Sequence, residues 1–519
     1  MPPRRKFSLS SLRRLFQFLF AILFLILFRK TDYAGIDQIP YAVNIFFRFD
    51  PLVAASVMLG AKAIIILVFY SLIVVFLTLL LGRFFCGWVC PLGSLLDLCH
   101  ALIPQRKERA QRRFRSWKYL LLSLILTCAF FGLPLVGYFD PFSILVRSMT
   151  IVLDPFLYWI VSTPFDFLYK VAPGWVTKLS EPIYDQLKQF ILPYNQKVFT
   201  LTLLSLIIFL LIFALERIER RFWCRNLCPL GGLLALLSRL SFLRGHIQEE
   251  TCKECETCIK VCRMEAIDEQ RRIIPEACNL CLECRDLCPH KSVSFNFKKP
   301  REKFPSLGVS RRAFVGMLST GILLPAFFKV RAENKIANPS LIRPPGANQE
   351  EKFLSRCIRC GLCMKVCPTN ALHPTLLEAG AEGFFSPRLI PRIGYCEFNC
   401  TLCGQVCPTG AITKLILKEK QKIVIGIAYF DKNRCLPYAK GITCIVCEEH
   451  CPTPDKAIKF LEVQVFNAEG EIVTIKQPYL IDSLCIGCGI CENKCPVEGT
   501  SAVIVFKTRE KLNLLYLPY

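Results

Sequence analysis

Apolar residues fall along this chain in two rhythms. In the first half they run almost unbroken, at 15–28, about 61–81, roughly 119–136 and about 198–215. Runs of this kind predict helices that bury themselves in a bilayer. Arg4, Arg5, Lys6, Arg13 and Arg14 precede the first run, and no small-residue cleavage site follows it. That pattern predicts a retained helix entering from the cytoplasmic face, with a signal peptide as the alternative. Arg106, Lys107, Arg109, Arg112, Arg113, Arg115 and Lys118 crowd the next loop on that side and mark it as cytoplasmic. The long segment after the third run, with Asp140-Pro141-Phe142 and Asp154-Pro155-Phe156, predicts short amphipathic helices at the outer interface.

In the second half the rhythm shortens. Residues 412–430 and 458–481 alternate apolar and polar positions with many β-branched side chains, which predicts two hairpins. Between the halves, Ser310-Arg311-Arg312-Ala313-Phe314-Val315 leads a weaker apolar run to Val330. A twin-arginine pair before such a run is an address for exporting a folded, cofactor-loaded domain, and the alternative is a fifth span with a basic flank. Either way the remainder is expected outside, beyond a linker at 337–348 rich in Pro and Gly.

Thirty cysteines punctuate the chain. Cys252, Cys255, Cys258 and Cys262 are followed by Cys278, Cys281, Cys284 and Cys288-Pro289. Two such quartets are how bacterial ferredoxins hold two [4Fe–4S] clusters, three thiolates from one loop on one cluster and the fourth on the other. Zinc sites favour one or two Cys pairs, often with His, and disulfide frameworks belong to small secreted domains, so iron–sulfur ligation is the expected chemistry. Four further quartets follow: Cys357, Cys360, Cys363, Cys367; Cys396, Cys400, Cys403, Cys407; Cys435, Cys444, Cys447, Cys451; and Cys485, Cys488, Cys491, Cys495. Their spacing leaves two pairings open, neighbour with neighbour or first with fourth around the middle two.

The apolar half repeats itself. Each copy has a span, an outer Asp-Pro (Asp50-Pro51, Asp140-Pro141), a second span and an Arg-Phe-aromatic-Cys-x3-Cys-Pro-Leu-Gly motif. Functional sites of repeated membrane proteins commonly lie where the repeats meet. Cys86, Cys90, Cys224 and Cys228 are therefore expected to converge, as ligands of a seventh cluster, as two redox thiol pairs or as packed cysteines. Cys99 and Cys128 have no partner motif and are expected to be inert.

These patterns predict a multi-domain membrane protein, an α-helical transmembrane bundle of four spans plus a fifth single span, with α+β ferredoxin-like domains on both sides. The expected domains are 1–245, the bundle; 246–297, a cytoplasmic two-cluster domain; 298–332, the fifth segment; 333–352, a linker; and 353–519, a periplasmic four-cluster domain.

Composition sharpens this. A hydrophobic content of 53% exceeds that of ordinary soluble chains. The net charge of +24 sits beside the apolar runs, which assigns it to topology rather than to nucleic acid. His100, His246, His290, His373 and His450 lie outside the runs, and no Cys-x-x-Cys-His is present, so bilayer b-type and covalent c-type haem are excluded. Electrons are left to iron–sulfur clusters, with or without a quinone.

On its Cys-x3-Cys-Pro pair and the Cys252–Cys288 segment, the first half resembles NapH and its NosR and CcoG relatives. The second half, on Ser310-Arg311-Arg312-Ala313-Phe314 and four quartets, resembles NapG and MauM, as if two subunits were fused. Arg263 departs from the pattern, standing where Pro usually follows the fourth ligand. The resemblance implies a protein of the bacterial inner membrane that oxidises quinol from the quinone pool and passes electrons to a periplasmic cytochrome or reductase. Phe84, Phe85, Trp88, Phe222 and Trp223 are expected to shape a quinone pocket or to anchor the interface. The alternatives are an accessory electron donor for metalloenzyme maturation, and a transmembrane relay fed by a cytoplasmic ferredoxin.

Overall fold

The computed structural model describes residues 8–102, 114–171, 173–190, 192–299, 307–333, 338–347, 349–466 and 472–507. Basic residues 4–6 and 106–113, and 300–303 of the expected linker, lie outside this set.

The N-terminal half is a bundle whose repeated elements begin at matched caps. Asp50 starts the helix Pro51–Ala61, its carboxylate accepting from the Leu52 and Val53 amides at 2.7 and 3.1 Å. Asp140 starts Pro141–Ser148 by accepting from the Ser143 amide at 2.7 Å. Proline at the first helical position suits both, because it lacks a donor that would go unsatisfied there. The two aspartates are fully buried. Cys90 and Cys228 play the same part for Pro91–Leu102 and Pro229–Ser238, and the Cys228 sulfur accepts from the Gly231 amide at 3.2 Å.

Among the described residues, two helical runs are both long and apolar enough to cross a membrane, Leu9–Lys30 and Pro141–Val171. The first has 22 residues, about 33 Å of helix. Shorter apolar helices, including Pro51–Ala61, Trp117–Phe130 and Pro229–Ser238, pack against one another.

The expected runs map onto these with three differences. The 61–81 run is broken, because Pro51–Ala61 ends at left-handed Lys62 and a new helix begins only at Ser71–Leu81. The 119–136 and 198–215 runs shorten to Trp117–Phe130 and Thr202–Ala214. The segment expected to lie on the surface from Asp140 instead builds a wholly buried helix, Pro141–Ser148, which continues through a π turn at Met149–Leu153 into Asp154–Val171. Asp50-Pro51 and Asp140-Pro141 mark helix starts, whereas Asp154-Pro155 lies within the continuous run, and the residues beyond it are mostly exposed. Arg311–Glu333 lies along Trp117–Phe130, and a Cβ on Gly321 would come within 2.8 Å of Thr127.

Two cysteine-rich units cap opposite ends of the bundle. In the first, Leu243–Ile247 pairs antiparallel with Val293–Phe297 and closes the loops between them. It meets the start of Leu9–Lys30, where Asp286 accepts from the Ser10 amide at 2.7 Å. The second unit meets the other end of that helix, where Lys365 lies 3.7 Å from Asp32. We call these the inner and outer units.

In the outer unit the 458–481 hairpin forms in full register, Ile458 opposite Leu480 and Phe466 opposite Ile472. No hairpin forms at 412–430. Ile427–Phe430 pairs instead with Val503–Phe506 from the far end of the unit, a partner that local alternation cannot name.

Candidate iron–sulfur sites

The inner unit crosses its quartets. Cys252, Cys255 and Cys258 line one cavity together with Cys288, and Cys255 is exposed. Cys262 instead neighbours Cys278, Cys281 and Cys284, close enough for their charges to act on one another. The outer unit does the same between neighbours in sequence. Cys357, Cys360 and Cys363 share a cavity with Cys407, and Cys367 neighbours Cys396, Cys400 and Cys403. Cys435, Cys444 and Cys447 share one with Cys495, and Cys451 shares one with Cys485, Cys488 and Cys491. Of the two pairings left open by spacing, the structure takes the neighbouring one.

Among the described residues, no three His, Cys, Asp or Glu side chains converge tightly enough for a single metal ion. Four of the thiol sets line cavities, which suits a polynuclear cluster and not a lone zinc. Burial pushes the Cys435 thiol up to about 11 and Cys447 up to about 12, and thiol neighbours add to both. Four such thiols become good ligands only when positive iron offsets their charge.

Loop geometry explains the spacing. In the four quartets with two residues in each of the first two gaps, a left-handed residue sits two after the first cysteine and another one after the second. These are Glu254 and Glu256, Leu280 and Leu282, Arg359 and Gly361, and Gly487 and Gly489. Such residues curl the chain around its own thiols, at about 1 kcal/mol or more where they carry a side chain. In the two quartets with longer first gaps the loop needs no such bend, and Thr401 and Ile445 keep negative φ.

Contacts between sets give an order. Cys363 feels Cys403, Cys396 donates its amide to the Cys488 carbonyl at 2.8 Å, and Cys491 feels Cys447. The outer sets therefore run from Cys357/360/363/407 through Cys367/396/400/403 and Cys451/485/488/491 to Cys435/444/447/495. The first of them sits on the bundle: a Cβ on Gly361 would lie 3.5 Å from Arg147. On the inner side it is the Cys262/278/281/284 set that touches the bundle. Trp88 donates its indole N–H to the Leu280 carbonyl at 3.0 Å, and Arg83 donates to the Glu276 carbonyl at 2.8 Å.

Between the units the Cys-x3-Cys-Pro motifs meet. Cys86, Cys90, Cys224 and Cys228 lie within electrostatic reach of one another. The motif arginines cross between the halves. Arg221 donates to the Cys86 and Gly93 carbonyls at 3.1 and 3.2 Å, while an Nη of Arg83 lies 3.1 Å from where a Cβ on Gly231 would stand. Both arginines are fully buried, and they hold positive charge beside the thiols.

Arg221 also grips Asp97 at 2.6 Å, and Arg263 of the inner unit reaches the same carboxylate at 2.7 Å. Burial works to raise the Asp97 carboxyl, but the Arg221 and Arg263 guanidiniums outweigh it and hold the group well below the usual carboxylate range. Arg263 also pairs with Glu283, which Arg13 meets at 3.5 Å. The departure from Pro after Cys262 thus supplies a docking cation. Asp97, Glu283 and Glu276 carried no motif signal in the sequence; only the charged helix position of Asp97, six residues after Pro91, hinted at a role.

Cys99 and Cys128 stay apart from every set, Cys99 beside Glu216 and Cys128 in the packed helix Trp117–Phe130. The aromatics expected to shape a quinone pocket or to anchor the interface have these neighbours, with Phe84 edge-on to Phe85 at 6.4 Å. Phe85 packs edge-on against Phe142 at 6.0 Å, Trp88 holds the inner unit, Trp223 is buried in the core, and Phe222 faces Phe114 at 6.4 Å.

Family models for iron–sulfur proteins match several parts of the chain. One described as a 4Fe-4S binding domain matches 63–110, 198–248 and 403–425, so it covers both Cys-x3-Cys-Pro motifs. A 4Fe-4S dicluster domain matches 356–411, and another 4Fe-4S binding domain matches 478–499. The chain is 39% identical over 187 residues to the methylamine utilization ferredoxin-type protein MauM of Methylorubrum extorquens, covering 36% of this chain and 80% of the relative. The same protein of Methylophilus methylotrophus is 34% identical over 190 residues, 36% of this chain and 80% of its own length. The ferredoxin-type protein NapG of Haemophilus influenzae is 32% identical over 218 residues, 40% of this chain and 75% of its own.

Proposed function

We propose, from the premise that the chain belongs to the ferredoxin-type protein family of MauM and NapG, that it is a membrane-bound quinol-oxidising module delivering electrons to a redox partner. In this reading the six quartets each complete one [4Fe–4S] cluster, crossed as above, and Cys86, Cys90, Cys224 and Cys228 hold a seventh. The inner unit, 246–297, is cytoplasmic, and the outer unit, 353–519, is periplasmic. Bound clusters supply reversible one-electron transfer.

The observation that carries the reading is the continuous order of thiol sets from one end of the bundle to the other. A bilayer core of about 30 Å separates faces too widely for one efficient hop, so a carrier between them is needed. The Cys86/90/224/228 set stands in that gap. From it, Phe85 contacts Phe142 at 6.0 Å, and the helix Pro141–Ser148 that bears Phe142 also bears Arg147, which packs on the loop of the first outer set. The chain's own residues align the sites: Trp88 and Arg83 seat the inner loops, and Arg147, through the Arg359 carbonyl at 3.1 Å, seats the outer one.

Anaerobic addition of a menaquinol analogue to the purified protein, followed by visible bleaching and low-temperature EPR, tests the reading. Quinol is expected to reduce clusters that dithionite also reduces. Reduction by dithionite or a low-potential ferredoxin alone would make the chain a relay instead. Cys86→Ser with Cys224→Ser is expected to lower bound iron by about four per chain; unchanged iron removes the seventh cluster.

A further inference from the structure

The largest cavity described lies far from the aromatics first expected to hold a quinone. It is about 440 Å³, within the ~300–1,000 Å³ range of small-molecule sites. It opens at the outer end of the bundle, between the ends of Pro51–Ala61 and Trp117–Phe130, the helix Arg311–Glu333 and the outer unit. Phe130, Phe131, Leu133, Phe328 and Leu354 give it apolar walls. Phe130 and Phe131 are 54% and 39% exposed, so the mouth opens on the apolar flank of the bundle.

Its back wall is the ligand loop of the first outer set. Arg359, two residues after Cys357 and one before Cys360, lines the cavity and is 2% exposed. Its Nη1 donates to the Pro134 and Cys357 carbonyls and its Nη2 to the Glu382 carbonyl, but its Nε–H has no partner. These bonds fix the guanidinium and with it the wall that the loop presents to the cavity. Glu351, an exposed carboxylate, stands at the rim.

We propose that this cavity is the quinol-oxidation site, an inference that rests on the quinol reading above. Apolar aromatic walls take the ring, the Glu351 carboxylate at the rim accepts from a ring hydroxyl, and the mouth beside Phe130 and Phe131 lets an isoprenoid tail leave along the bundle. The hydroquinone loses two electrons and two protons and leaves as quinone. The electrons pass singly to the iron–sulfur cluster class assigned to Cys357, Cys360, Cys363 and Cys407, and the protons pass to the Glu351 carboxylate and on to water on the outer side. Electrons from quinol therefore enter directly at the first outer set. The inner unit and the Cys86/90/224/228 set then serve a second, cytoplasmic input.

The test uses the full protein and the fluorescent quinol-site probe 2-heptyl-4-hydroxyquinoline N-oxide, with quinol-driven cluster reduction as a second readout. Ala61→Trp fills the cavity from the end of Pro51–Ala61, and Leu133→Trp fills it from the opposite wall should the first variant lose iron. Either is expected to weaken probe binding at least about tenfold and slow reduction by quinol in parallel, with iron and dithionite reduction unchanged. Normal probe binding in both filled variants overturns the proposal while the quinol reading stands. Failure of wild-type protein to bind the probe or accept electrons from quinol, with dithionite reduction normal, overturns the quinol reading and this site with it.

Discussion

The inner and outer units dock on the same bundle with the same device and opposite consequences. Each places a cation within two residues of its fourth ligand. Arg263 follows Cys262 and reaches Asp97, and Lys365 precedes Cys367 by two residues and reaches Asp154 at 2.7 Å. At the inner end Asp97 is shared, taking Arg263 from the docked unit, Arg221 from the second Cys-x3-Cys-Pro motif and the Gln17 amide from the first helix. Arg225 on Glu265 at 2.6 Å and Arg13 on Glu283 at 3.5 Å dock the unit beside it. At the outer end Asp32 also pairs with Lys197 at 2.8 Å and Asp154 with Arg29 at 3.0 Å. The inner joint thus ties docking to the arginine beside the central thiol set through Asp97, whereas at the outer joint Lys365 stands between two carboxylates.

The largest effect follows from removing the shared group. Asp97→Ala leaves Arg221 buried without its carboxylate partner, a loss of about 3–5 kcal/mol, while Arg263 keeps Glu283. It is expected to release the inner unit and to disturb the Arg221 contacts with the Cys86 and Gly93 carbonyls together. Protease accessibility of 246–297 and iron content of the purified variant check this, and release of the inner unit without any change at the central set breaks the linkage. The pH dependence has a definite sign. The folded carboxyl is held below its ordinary value by Arg221 and Arg263, so its contribution is complete above about pH 4. It is lost only as pH falls through the lower folded value, and hydrogen exchange of the joint between pH 8 and 5 is expected to be flat.

Lys365→Met tests the opposite claim. Asp32 keeps Lys197 and Asp154 keeps Arg29, so the expected cost is about 1–3 kcal/mol, with the outer clusters retained. Faster exchange confined to the contacts around Asp32 and Asp154, with iron unchanged, supports the shared-charge joint. Loss of outer-unit iron would show that Lys365 is as indispensable as Asp97.

Ligand chemistry was legible in the sequence because four thiols at fixed spacing have one common use. The central thiol set was legible as a convergence because the motif is duplicated, and the 458–481 hairpin because both strands are adjacent. What the sequence hid depends on distant partners. The pairing of Ile427–Phe430 with Val503–Phe506, the crossing of Arg83 and Arg221 between halves, and the joint at Asp97 all join residues that no local pattern connects. The buried course of Pro141–Ser148 was misread because Asp-Pro with aromatics looks the same at an interface and at an internal helix start. The cavity beside Arg359 was invisible because its walls come from five separate stretches of chain.

The smallest effect sharpens the comparison at a single hydrogen bond. Trp88 belongs to the first Cys-x3-Cys-Pro motif and donates to the Leu280 carbonyl of the inner unit at 3.0 Å, while packing 6.0 Å from Phe16. Trp88→Phe keeps an aromatic ring and removes only the donor, so the expected cost is about 1 kcal/mol. Leu280 is one of the left-handed residues that curl the Cys278 loop, and its carbonyl is aimed by that bend. Loosening it is expected to alter the EPR line shape of the Cys262/278/281/284 cluster while leaving every outer cluster signal unchanged, because no outer loop rests on this motif. A change in the outer signals as well would mean that the two joints are coupled through the bundle, and the independence of the outer end would have to be given up.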